Sequence, residues 1–71
     1  MDAINGMRQR LHQAKEGKEK VKIIFQYPAS SKAIIKSGNV IETYEDSFLL
    51  DEKFDGEVIY SYNFIAEIKS V

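Results

Sequence analysis

A chain of 71 residues, 44% hydrophobic and 30% charged with a formal net charge of -1, has room for one domain, here 1–71, and a single core. It contains no cysteine and one histidine, so disulfides, thiolate metal centres and imidazole clusters are excluded. No apolar run approaches the roughly 20 residues of a membrane helix, and no cleavable apolar leader opens the chain, so a cytoplasmic protein without membrane contact is expected.

A domain this small buries a modest share of its surface, and self-association is the support still open to it, so a homodimer is expected. The small net charge hides a division. Residues 1–36 carry eight Lys/Arg against three acids, whereas residues 37–71 carry two against eight. Such a split points to an electrostatically polar surface or to head-to-tail pairing, unless the two halves neutralise each other within the fold.

Residues 2–16 read as an amphipathic helix, because Ile4, Met7, Leu11 and Ala14 fall on one side at helical spacing. Asp2 is placed to cap it and Gly17 to end it, which sets the helical part at 1–17. Gly6 costs about 1 kcal/mol relative to alanine, so the helix needs a surface to lie on. After the charged connector 16–20, Val21, Ile23, Phe25 and Tyr27 alternate with Lys22, Ile24 and Gln26 as a half-buried strand does. Pro28 ends that strand, and 28–31 is a loop of turn formers.

The second strand is predicted over 32–44. Its alternation falters at Ile34-Ile35 and at Val40-Ile41, with Gly38 between, which marks a bulge or the bend at which a small barrel turns a corner. A turn at 45–47 leads to a third strand at 48–51, with Phe48 and Leu50 on one face. Asp55-Gly56 is a hairpin signal, followed by a fourth strand at 57–62 that places Val58, Tyr60 and Tyr62 together. Asn63 breaks it, and a last strand covers 64–70. The fold class expected is mainly β with one N-terminal α-helix: a five-stranded antiparallel SH3-like or Sm-like small barrel at 20–71.

The candidate sites are few. Acids cluster at turns, as Glu45-Asp46, Asp51-Glu52 and Asp55, where carboxylates cap and are solvated. Their spacing does not suit a calcium loop, and neither a metal nor a cofactor is expected. No nucleophile elbow or phosphate loop is present, so the chain reads as no enzyme. The alternating Lys18, Lys20 and Lys22, with Lys32 and Lys36 on the next strand, suggest a basic face for phosphates. Tyr27, Tyr44, Tyr60 and Tyr62 would be stacking platforms if exposed and core if not.

The run Ser37-Gly38, Glu42-Thr43-Tyr44, Phe48 and then Tyr60-Ser61-Tyr62 with Ile65 resembles the Veg family, small Firmicutes proteins described as stimulators of biofilm formation. The likeness is strong over about half the chain and otherwise limited to element order and basic character. It implies an SH3-like or Sm-like barrel behind a helix, no enzymatic activity, and a role in transcriptional control of matrix genes through a protein partner such as a repressor. The family's glycine- and arginine-rich loop after strand one is replaced here by Pro28-Ala29-Ser30-Ser31-Lys32, which weakens any function resting on that loop. The motif residues read as mainly structural. Partner contact is expected from the basic first half, at Arg8, Arg10, Lys20, Lys22, Tyr27, Lys32 and Lys36. The alternative is an Sm-like nucleic-acid-binding barrel using the same lysines.

Overall fold

The stripe of Ile4, Met7, Leu11 and Ala14 forms one side of a helix, α1 (Ala3–Glu16), in a computed structural model that describes residues 3–29 and 31–71. The expected cap at Asp2, and Ser30 of the 28–31 loop, lie outside the described residues. The helix ends differently from the expectation at Gly17. The Glu19 N–H donates to the Ala14 carbonyl at 2.8 Å and the Lys18 N–H to that of Lys15 at 3.2 Å. These paired bonds put Lys18, with φ of 52°, at the left-handed position where glycine is usual. Gly17 sits one residue too early to take it.

Five strands follow: β1 (Lys20–Phe25), β2 (Ile34–Thr43), β3 (Ser47–Glu52), β4 (Gly56–Ser61) and β5 (Ile65–Ser70). All ladders are antiparallel, in the order β4-β3-β2-β1-β5. β1 alternates as its sequence demands, with Val21, Ile23 and Phe25 fully buried and Lys20 and Lys22 turned outward. β2 is shared: residues 34–39 pair with β1 and residues 38–43 with β3, overlapping at Gly38 and Asn39. A Cβ on Gly38 would lie 2.2 Å from the Asp51 carbonyl oxygen, so the approach of β3 at this handover requires glycine.

The faltering alternation of β2 has one cause, not two. The register shifts between Val40 and Glu42, leaving Ile41 as the extra, exposed residue of a bulge. At Ile34-Ile35 the register is regular, opposite Phe25 and Ile24. Both isoleucines are simply exposed.

Leu11 and Ala14 of α1 complete a core with Val21, Ile23, Phe25, Val40, Phe48, Leu50, Tyr62 and Ile65. The helix lies against β2 and against a 3-10 turn at Tyr62–Phe64. That turn corrects the placing of Tyr62 on the fourth strand. Tyr62 leaves β4, is buried, and its hydroxyl donates to the Tyr44 carbonyl at 2.9 Å. Ser61 caps the turn by accepting from the Asn63 N–H at 3.2 Å. β4 and β5 pair only with β3 and β1, so what the ladders establish is a helix followed by one five-stranded antiparallel sheet. No described helix is long and apolar enough to cross a membrane.

Candidate functional site

The registers sort every strand residue onto one of two faces. The inner face carries the core and, where it runs out at the open end of β2, a polar cluster. Glu52 lies opposite Gly38 and is 7% exposed. The Tyr60 hydroxyl donates to its Oε2, and the Lys36 ammonium stands 3.6 Å from its Oε1 and 3.6 Å from Asp55 Oδ2. Burial, and then the neighbouring Glu52 carboxylate, push the Tyr60 phenol above its ordinary pKa, so it stays a donor. An open cleft of ≈ 290 Å³ adjoins the cluster, lined by Lys20, Ile35, Lys36, Lys53 and Phe54 among others. The expectation that Glu52 is a solvated turn carboxylate is therefore corrected. It continues β3 by one residue, and strand alternation turns it inward, whereas Asp51 faces out. Asp51, Glu52 and Asp55 are not brought together as a ligand set. Among the described residues no group of three acids or histidines has the geometry to hold a metal ion.

Several basic residues of the first half are engaged inside the molecule. Arg8 donates to the Glu45 carbonyl at 2.8 Å and to Asn5 Oδ1 at 2.9 Å. Arg10 reaches Glu19 Oε1 at 2.8 Å and Ser70 Oγ at 2.9 Å, and Ser70 donates to the same carboxylate at 2.7 Å. Bonds from Ser70 and Arg10 hold the Glu19 pKa below the usual carboxylate range. Lys15 pairs with Glu42 at 2.8 Å, and Glu42 also accepts from the Thr43 N–H, which lowers its pKa in turn. Lys36 sits on the inner face opposite Ile23, away from Lys22. The charge division seen in the sequence is resolved in part within the fold, where Arg10, Lys15 and Lys36 of the first half meet acids from both halves.

Lys20 and Lys22 remain exposed on the outer face, and Lys32 is exposed in the loop before β2. Tyr27 is half-buried against the Phe64 and Phe25 rings, with centroids 4.8 and 6.1 Å away. Of the four tyrosines only Tyr44, at 43%, is exposed. The motif residues fall at different depths in the fold. Phe48 is buried, Gly38 admits β3, Thr43 lies opposite Phe48, and Ser37 stands opposite Lys22.

The outer face holds what composition alone does not reveal. Ile35 is 58% and Ile59 62% exposed, and the bulge residue Ile41 is exposed at 40%. Ile59 pairs with Leu49, and Ile35 with Ile24, both half-buried on the same face. Strand alternation already sets Ile59 opposite in face to Tyr60, but nothing in the sequence shows that this face is left uncovered. No family model matches this chain, and no match is found among curated proteins or solved structures.

Proposed function

We propose that this protein is a non-enzymatic regulatory module that acts by protein–protein contact. Its sheet, wrapped about Phe25, Phe48 and Tyr62 with α1 across it, is read as an SH3-like or Sm-like barrel. The observation that carries the reading is the outer face, where β-branched Ile35 and Ile59 stand in water on strands whose inner residues are packed. Exposed apolar residues repeated along one face of a small domain support an interaction surface. The resemblance of the Ser37-to-Ile65 motif to Veg proteins supports a transcriptional regulator as the partner, in the cytoplasm.

The test is capture from the native host with the wild-type protein and with an Ile35→Asp/Ile59→Asp variant as baits. A transcriptional regulator retained by the first and lost by the second is expected. Equal capture by both, or capture of no regulator, overturns the reading. Nucleic-acid binding is the weaker alternative, because Arg8, Arg10 and Lys36 are engaged internally, while exposed Lys20 and Lys22 on the sheet and Lys32 in the loop keep their charge outward.

A further inference from the structure

The outer face carries two like-charge contacts across neighbouring strands, of opposite sign and at opposite ends of the strand order. Lys22 on β1 stands directly opposite Lys69 on edge strand β5. Asp51 on β3 stands directly opposite Glu57 on edge strand β4. All four side chains are exposed. Like charges in such positions destabilise a sheet, so neither pair helps the single chain to fold. Nearby groups soften the corners without cancelling them. Glu67 lies 3.9 Å from Lys69, Lys20 adds charge on the lysine side, and Lys53 follows the acidic pair. Each corner also adjoins an apolar pair on the same face, Ile24 with Ile35 beside the lysines and Leu49 with Ile59 beside the acids.

We propose that the lysine corner of one copy docks on the acidic corner of a second copy, so that the protein assembles with itself through this face. The corners are complementary in charge, and each brings an isoleucine of roughly 60% exposure to the contact. Two different patches meeting give either a reciprocal two-fold pair, in which each corner meets the other's opposite, or a head-to-tail contact that closes into a ring or runs on as a filament. The proposal shares Ile35 and Ile59 with the regulator reading but is tested apart from it, on purified protein alone.

Sedimentation and light scattering on the purified chain, at low and high salt, read the assembly. Self-association that weakens as salt rises is expected. Lys22→Glu places opposite charges across from each other within one chain. It should raise the melting temperature by about 2–4 °C while weakening association about tenfold. Lost assembly in a more stable monomer cannot be blamed on misfolding. A Lys22→Glu/Lys69→Glu variant and an Asp51→Lys/Glu57→Lys variant should each stay monomeric, and an equimolar mixture of the two should associate again. Wild type that is monomeric at low salt and high concentration overturns the proposal. So does assembly indifferent to these variants, or a mixture that fails to reassociate. A phosphate-binding face gives a different pattern, in which reversal of the two acids strengthens binding to DNA or RNA and leaves the oligomeric state unchanged; that outcome also overturns it.

Discussion

The two faces of the sheet are built from the same five strands and follow opposite rules. On the inner face every charge has an opposite neighbour: Glu52 is held by Tyr60 and Lys36, and Lys36 also meets Asp55. On the outer face lysine faces lysine, carboxylate faces carboxylate, and isoleucines stand in water. A buried charge without a partner costs far more than an exposed one, so folding alone dictates the inner arrangement. The outer arrangement contributes little to folding, since its like-charge pairs work against it. Substitutions on the two faces should therefore separate stability from association.

The largest effect is expected at Gly38→Ala. The added methyl would meet the Asp51 backbone at 2.2 Å, and backbone yields only by shifting β2 against β3. A loss of about 3 kcal/mol is expected in urea unfolding. Gly56→Ala, with φ of +73° and no atom within 4 Å of the new methyl, should cost only about 1 kcal/mol of backbone strain. A comparable loss at both glycines would show that the close approach of β3 is not what Gly38 serves.

Next comes Tyr60→Phe, which removes a donor from a carboxylate that is 7% exposed. It should cost about 1–2 kcal/mol at neutral pH. It should also change the alkaline limb. The folded protein keeps the phenol protonated above its ordinary pKa near 10, while the unfolded chain releases the proton there. Wild-type stability therefore falls as pH rises past about 10, and the variant should lose less across that range. Parallel alkaline limbs for the two proteins would sink this account of the cluster.

The inner face was largely legible in the sequence, because burial imposes a period. Val21, Ile23 and Phe25 announce β1, Phe48 and Leu50 announce β3, and each element is found within two residues of its expected ends. Failures came where an element ended or a partner came from far along the chain. Tyr62 continues the period of β4 but belongs to the turn after it, because Ser61 caps that turn and ends the ladder one residue earlier than the apolar pattern suggests. Glu52 looks like a turn acid because nothing local shows that β3 reaches it or that Tyr60 and Lys36 will meet it. Arg8 and Arg10 looked available for the same reason. Their acceptors Glu45 and Ser70 lie 37 and 60 residues away, so charge is visible in the sequence while its neutralisation is not.

Between the two faces lies the rim where α1 meets the sheet, and its ion pairs should have a small, one-sided effect. Glu19 and Glu42 have lowered pKa values in the folded protein. Their contribution is present above the unfolded carboxylate pKa near 4.3 and is lost as pH falls through the folded values. A Glu19→Gln/Glu42→Gln variant should melt close to wild type in acid and slightly lower at neutral pH. A gap that instead widens in acid would put these carboxylates in the wrong role.

The smallest effect on folding, and the sharpest division between the faces, is expected at Ile59→Thr. Ile59 is 62% exposed, and threonine keeps the β-branch that suits a strand, so stability should stay within about 0.5 kcal/mol of wild type. Concentration-dependent light scattering should nonetheless show weaker self-association, because the methyl groups lost adjoin the Asp51–Glu57 corner. If melting falls while association holds, Ile59 is supporting its own sheet after all. The outer face would then have to be read by the rule that governs the inner one.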